Sequence, residues 1–543
     1  MRLLTIALLI IAVLAVQSFA TSVTVSTTNL QTKYGTLTNV YFETASGPGS
    51  STPSTNTAQT PSGTSGSYSI PQATSGYLWS PQFVSATTVS AGNWVFDFWA
   101  AAAAYSYVPI TLTNNQGSAT PNTLQVIVQP NPSLYSAYET SDLGNIGFCL
   151  NTLCSTKLYS WLEGCGSAAP YGPCSTASTT ATFWVKLTSS LAGSGGSLTI
   201  YMVFLPTSTE FDGAYRGESP HLSTTYAAYD NGANVFDLYF NGNTAVASFN
   251  NGASNTLAKT TGVANPIAGG SSINVLSLKG YGSSNRVNMI LTTPLPAANP
   301  TYGEIAESYS EIQTGDAGNL QGLAGFCDST TAGSGTINAE SEVVGNAGTL
   351  YGYVYVAAGA ATKVAGGGVD AALTWYYAGL AYPGTGSTSF SGIVSTSFYS
   401  AYAASTPQHP ITGSAQLYWC SVGASVAGNP DGLYFNWGRA RASPPGGALP
   451  AVSLGSLSSN KVTVSIYITG STGTVVTTVA SNVPSSVLGT AEAQYTMTFA
   501  EATVSVPAND YLSVVVTASS SAATLYWGVG QPTNFQVPLK VLT

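Results

Sequence analysis

Charge is what this chain has least of. Asp, Glu, Lys and Arg make up 6 % of its 543 residues, against about 25 % in an ordinary globular protein. Thirteen Lys and Arg with a net charge of −9 provide no concentrated basic face, which argues against a nucleic-acid partner. Solubility must come from hydroxyls, amides and tyrosine tips. Few groups change state with pH, which suits a surface protein in an acidic medium. Histidine is almost missing: His221 in "ESPHLS" and His409 in "TPQHP" are far apart, and both are expected at the surface. No G-x-S-x-G, H-E-x-x-H or Gly-Lys-Ser/Thr phosphate loop occurs, so serine-hydrolase, zinc-peptidase and P-loop chemistry have no motif to rest on. No Asn is followed by an x-Ser/Thr acceptor; Asn122-Thr-Leu and Asn255-Thr-Leu carry the Thr one place too early. Either the host does not N-glycosylate this protein or its surface is kept bare for contacts.

Long apolar runs are confined to the start. Met1 to Ala20 has one basic residue, a short apolar core and small residues at 18 and 20, which reads as a signal peptide and shorter than a membrane span. Export makes disulfides the default for six cysteines. Cys149, Cys154, Cys165 and Cys174 cluster and allow three pairings, while Cys327 and Cys420 lie apart. A zinc site is disfavoured because the cluster lacks C-x-x-C and has no nearby histidine. Localisation is therefore expected to be extracellular or at the cell surface.

Helical periodicity is absent, and what fills its place is strand. Val462, Val464, Ile466 and Ile468 alternate with Thr463, Ser465, Tyr467 and Thr469, the period-2 pattern of a half-buried strand. From residue 77 on, such segments alternate with Gly, Asn and Pro punctuation. The fold class is read as all-β, a set of antiparallel sandwiches. Residues 21–76 form an N-terminal segment: an isolated potential strand near 21–27, then a Ser/Thr/Gly/Pro-rich linker or stalk at 45–76.

The stretch "YVPITLTNNQGSATP", then "LGNIGFC", "SWLEGC", "ATFWVKL" and "LTIYMVFLP", resembles a small β-domain of unknown function in exported archaeal and bacterial proteins. "GESPHLSTTYAAYDNGANVFDLYFNGNTA" and "YFNWGRARASPPGGALP" resemble the concanavalin A-like sandwich often attached to it. The resemblance implies a small domain at 106–216 and a jelly roll at 217–455, with no established activity. It also implies that 77–104 and 456–543 are two parts of one split sandwich, because in that group a segment like "AGNWVFDFWA" runs straight into strands like "KVTVSIYITG". The alternative is a linear chain of independent domains.

Candidate chemistry is sparse. Glu304, Glu307 and Glu311 in "YGEIAESYSEIQTGD" are the candidates for a glycosidase pair; Glu307 and Glu311 could share a face, but the Asp that usually sits between the two glutamates of such enzymes has no counterpart. Glu304 and Glu307 point to opposite faces of a strand, and a solvated edge or turn is the expected setting. Asp230-Asn231-Gly232 is expected to form a hairpin turn, with oxygens that offer a second reading as a Ca²⁺ site. No other cofactor is expected. Arg439 and Arg441, expected on one face with Phe435 and Trp437, either grip a partner carboxylate or pair with an internal acid. The strongest binding signal is aromatic: Tyr351, Tyr353 and Tyr355 on one face of "YGYVYV", with Trp375 and Tyr376 from "LTWYYAGL". Tyrosine rings can stack on sugar rings and hydrogen-bond to their hydroxyls, although a poorly charged protein also covers itself with tyrosine. The expectation is a non-enzymatic surface protein that binds glycan or a protein partner. The rivals are a surface-layer or filament subunit, capable of self-assembly, and a glycoside hydrolase.

Overall fold

A computed structural model describes residues 91–166 and 172–527 with short interruptions, most of them between 252 and 431, and the strands Asn39–Tyr41, Gly66–Ile70, Ser75–Trp79, Thr87–Val89 and Asn534–Gln536. The leader at 1–20, the strand expected near 21–27, Tyr351 and His409 lie outside the described residues. The chain divides into two compact units, 1–107 with 456–543, and 108–455. Both are built of antiparallel sheets, apart from the parallel pairing of Arg216–Glu218 with Ser160–Cys165, and no described helix is long and apolar enough to cross a membrane.

In the first unit the strand Gly92–Ala102 is central. It pairs with Ala493–Glu501 on one side and with Ala523–Trp527 and Asn534–Gln536 on the other. Trp94, Phe96 and Phe98 are fully buried against Val464, Ile466, Val514 and Val516 of the facing sheet. The alanines that follow cannot hold a helix alone, and Ala100 to Ala102 extend the strand instead. Gly66–Ile70, within the stretch read as linker, is also a strand and pairs with Ala523–Trp527. Its alternation is carried by Tyr68 and Ile70 alone among serines, too little apolar content for composition to reveal.

The second unit opens with two small sheets. One orders Arg216–Glu218, Ser160–Cys165, Ala181–Lys186 and Gln125–Val128; the other orders Ala451–Leu454, Ser106–Asn114, Gly196–Phe204, Ile146–Cys149 and Lys157–Leu158. Phe148 and Phe183 meet edge to face across them at 5.2 Å. The central sandwich follows. Its eight-stranded sheet carries Ile273–Gly280, Gly432–Ala442, Glu304–Ile312 and Thr374–Tyr382 side by side, and a seven-stranded sheet packs on one face of it. Three disulfides join Cys149 to Cys154, Cys165 to Cys174, and Cys327 to Cys420.

Two turns of the chain depart from expectation. Asp230-Asn231-Gly232 does not connect paired strands; Gly232–Val235 is a single helical turn, and Asp230 Oδ1 accepts from Gly232 N–H at 2.9 Å. The Gly432–Ala442 strand carries a bulge at Asn436, where the register against Glu304–Ile312 shifts between Phe435 and Trp437. A bulge adds one residue and flips the faces that follow. Phe435 therefore faces the intersheet core, while Trp437, Arg439 and Arg441 face the opposite side, not the one shared face expected.

Candidate functional site

The face of the eight-stranded sheet turned away from its partner sheet carries Glu307, Glu311, Trp375, Arg439 and Arg441. Cross-strand register stacks it in rows. Arg439 stands opposite Glu307, Trp437 opposite Tyr309 opposite Tyr377, and Tyr434 opposite Glu311 opposite Trp375. The Glu304–Ile312 strand is thus central in its sheet, not the solvated edge expected, and Glu307 is fully buried. A directly opposite Arg is the favourable cross-strand partner for a glutamate, which is why the acid tolerates this place.

The Ser160–Cys165 and Ala181–Lys186 strands of the small sheet lie over these rows. They contribute Trp161, Glu163 and Trp184, all fully buried. Arg439 Nε donates to Glu307 Oε2 at 2.6 Å, and its Nη2 lies 3.5 Å from Glu163 Oε1. Arg441 reaches Glu307 Oε1 through Nε at 2.9 Å and Nη2 at 2.7 Å. Tyr377 donates its hydroxyl to the same carboxylate at 2.6 Å, and Trp184 Nε1–H donates to Glu163 Oε2 at 2.5 Å. Around the charges stands an aromatic wall. The Arg439 guanidinium lies 4.4 Å from the Trp437 ring centre, 4.6 Å from Phe236 and 4.9 Å from Trp184, within cation–π range.

Two positive and two negative groups balance here when both glutamates are ionised. Burial pushes the Glu307 carboxyl up, but Arg441 and Arg439 outweigh it and hold it at about 2. Glu163 has weaker contact with Arg439, so burial wins and raises it to about 7. Neither acid has the open approach that proton transfer to a substrate requires. Glu304, also buried, is pushed well above the usual carboxylate range by burial and by Asp237 beside it. Of the Arg439 and Arg441 readings, the internal pairing is the one formed.

The other expected site residues are dispersed. Tyr376 was expected on a binding surface, but it packs between the two sheets at 1 % exposure among Leu276, Leu380 and Phe435; alternation along Thr374–Tyr382 forces this, since Trp375 and Tyr377 take the outer face. Trp375 is half-buried at the rim, its ring 5.1 Å from that of Tyr309. Tyr353 and Tyr355 pair in the seven-stranded sheet through Glu342 and Glu340.

His221 is not at the surface: it is buried, with Nδ1 2.8 Å from Ser219 Oγ and 3.3 Å from Asn436 Oδ1. A hydrolytic triad needs the two ring nitrogens to serve different partners, and here both oxygens address one nitrogen. Burial lowers its pKa to about 4. Asp230 is a poor Ca²⁺ ligand in this setting. Its oxygens accept hydrogen bonds from Trp161, Gly232, Tyr239 and Asn241, so donor hydrogens occupy the directions a cation would need. Among the described residues, no group of three or more His, Cys, Asp or Glu is arranged to hold a metal.

Glu163 carried no sequence signal beyond its place in "SWLEGC". Its role depends on Arg439, 276 residues further along the chain, which pattern reading does not reach.

No family model matches the chain. A protein of Sulfolobus islandicus rod-shaped virus 1, described as uncharacterized protein 562, is 32 % identical over 345 residues, covering 63 % of this chain; the chain spans 58 % of that protein's length. Among solved structures, peanut lectin is 9 % identical with a TM-score of 0.25, covering 40 % of this chain and 97 % of the lectin. A Bacillus licheniformis β-glucanase is 15 % identical with a TM-score of 0.24, covering 38 % and 97 %. A carbohydrate esterase of the Shiga toxin-encoding bacteriophage phi24B is 11 % identical with a TM-score of 0.28, covering 38 % and 98 %. TM-scores this low carry no argument about what the chain binds or does.

Replacing Glu307 by Gln leaves two buried guanidinium groups with one weak counter-charge. Breaking a buried ion pair on one side costs about 3 to 5 kcal/mol, and denaturant unfolding should show a loss of that order; a loss under about 1 kcal/mol would mean that the cluster is solvated. The pH response has opposing parts. Glu163, at about 7, and Glu139, buried and raised to about 8, give stability that is complete below their ordinary 4.5 and is lost as pH rises through those values. His221, at about 4, gives stability that is complete above 6.5 and is lost as pH falls through 4; Glu307, at about 2, loses its own only below 4.5. Two acids outweigh one imidazole, so melting temperature should rise from pH 8 to pH 5. A steady fall over that range contradicts these assignments.

Proposed function

We propose that this chain is an exported, non-enzymatic recognition protein that binds a glycan or a protein partner outside the cell, as in adhesion. One observation supports this most directly. The acids and arginines that chemistry would need are paired inside a sealed, aromatic-walled interface, 0 to 4 % exposed. Three disulfides fit an oxidising compartment. A surface of hydroxyls, amides and aromatics with little charge suits recognition of uncharged, hydroxyl-rich partners.

A structural role is the second reading, and one strand favours it. Val475–Pro484 is the last strand of its sheet, carries no charged residue, and exposes Val475 and Val476 at about half of their surface, 49 % and 52 %. An uncharged, exposed edge of this kind can pair with another chain. Catalysis on glycans is the third reading and rests on fold analogy alone.

The purified mature protein should bind a subset of glycans on an array and release no sugar from polysaccharides. Binding to no glycan, together with filaments by electron microscopy, would shift the account to the structural reading. Sugar release that disappears with Glu307→Gln would establish the hydrolase.

A further inference from the structure

We infer that Lys186 and Asp237 join as an intramolecular amide, a covalent clamp between the small sheet and the central sandwich, with Glu304 beside them to carry the proton. Lys186 ends the strand Ala181–Lys186 of the small sheet. Asp237 directly precedes Leu238–Asn241, which pairs into the eight-stranded sheet. Both lie in the compact unit 108–455. Lys186 Nζ is 3.8 Å from Asp237 Oδ1, and the two side chains are 20 % and 7 % exposed.

Neighbouring groups hold the pair in place. Lys186 stands opposite Gln125 in cross-strand register, so their side chains leave the same face of the small sheet. Gln125 is fully buried. Its Nε2 donates to the Val235 carbonyl at 3.0 Å and to Asp237 Oδ1 at 3.3 Å, while its Oε1 accepts from Ala442 N–H at 3.0 Å. The Asp237 N–H donates to the Ala440 carbonyl at 2.9 Å. Ala442 in turn stands directly opposite Glu304. Glu304 is buried, and its Oε2 has no hydrogen-bond partner among the described residues. Arg441, the other cation whose charge reaches Glu304, is engaged by Glu307.

These groups supply each part of an acyl transfer. Burial raises both Asp237 and Glu304, and two buried carboxyls beside one ammonium favour neutral forms over separate charges. Proton transfer from Nζ to the Asp237 carboxylate leaves an amine facing a carboxylic acid. Nζ then attacks Cγ: the C–N bond forms and the bond from Cγ to Oδ2 breaks. The Gln125 N–H stabilises the charge that develops on Oδ1, which becomes the amide oxygen. Glu304 gives its proton to the departing Oδ2 hydroxyl and takes one from Nζ, so water leaves and the acid is restored. An amine and a carboxyl become an amide and water; nothing is oxidised and no co-reactant is needed. Fixed contact between the reactants replaces the chemical activation that a free acid requires.

The link would serve where the disulfides do not. All six cysteines are paired. Cys149–Cys154 and Cys165–Cys174 close short loops, and Cys327–Cys420 joins neighbouring strands of the seven-stranded sheet, so no disulfide ties the small sheet to the sandwich. An amide at that boundary needs no counter-charge and is untouched by reductants.

Intact mass and tryptic mapping of the reduced mature protein test this. The mass should fall short of the mature sequence by one water. Trypsin should fail to cut after Lys186, whose peptide should emerge joined to the one holding Asp237. Lys186→Arg keeps a cation opposite Asp237 and should restore the full mass. Glu304→Gln leaves lysine and aspartate in place and should slow linkage by at least about tenfold; if that variant does not fold, Lys186→Arg decides. A folded wild type of full mass that is cut after Lys186 overturns the clamp. So does a water loss confined to the Asp237 peptide alone, the mark of a cyclised aspartate. Linkage at the wild-type rate in Glu304→Gln overturns the part given to that acid.

Discussion

Two arginines sealed between the outer face of the eight-stranded sheet and the small sheet dictate much of what surrounds them. An unpaired guanidinium cannot stay in a dry interior, so Arg439 and Arg441 require carboxylates within reach on every side that water does not supply. Glu307 meets that need from the neighbouring strand, and Glu163 meets it from a different sheet altogether. The second contact is the consequential one. It ties the small sheet to the outer face of the eight-stranded sheet, so within residues 108–455 the two layers are joined by charge as well as by packed aromatic rings. Trp161, Trp184, Phe236 and Trp437 exclude water from the cluster, and exclusion of water makes each charge more dependent on its partner.

Filling that face with protein has a functional consequence. The broad surface that a sandwich can offer to a ligand is used up over most of its area by the chain's own small sheet. Beyond the sealed rows, Tyr434, Glu311 and Trp375 are half-buried, and the two aromatic residues pack against Tyr226, Ile273 and Val275. The rest of the exterior, short of charge, offers few other sites of strong polar chemistry. The buried acids are expected to tune stability with pH, in the direction that favours mildly acidic surroundings.

Much of the fold could be read from alternation. Trp94, Phe96 and Phe98 announce a strand with one buried face, as do Val462 to Ile468, and those signals are local. The bulge at Asn436 was not legible, because a single inserted residue has no composition of its own; it moved Phe435 and Trp437 to opposite faces. The internal pairing of Arg439 and Arg441 was legible from their scarcity and setting, but the identity of Glu163 was not, since nothing local links it to residue 439. Tyr376 and Trp375 were read as one patch, although period 2 sends them to opposite sides. His221 sits between prolines and serines that suggest a loop, yet tertiary packing buries it. Asp230 in "DNG" carries the strongest hairpin signal in the chain, and Tyr239, Asn241 and Trp161 convert it into a buried acceptor.

Carbodiimide labelling of carboxyl groups in the folded protein at pH 5, mapped by mass spectrometry, addresses the sealed cluster without altering any residue. Glu311, half-buried at the rim, should be modified, while Glu163 and Glu307 remain unlabelled until the chain unfolds. Labelling of Glu307 at a rate similar to that of Glu311 would show an acid open to solvent and reactants, and would contradict the view that this face is closed to chemistry.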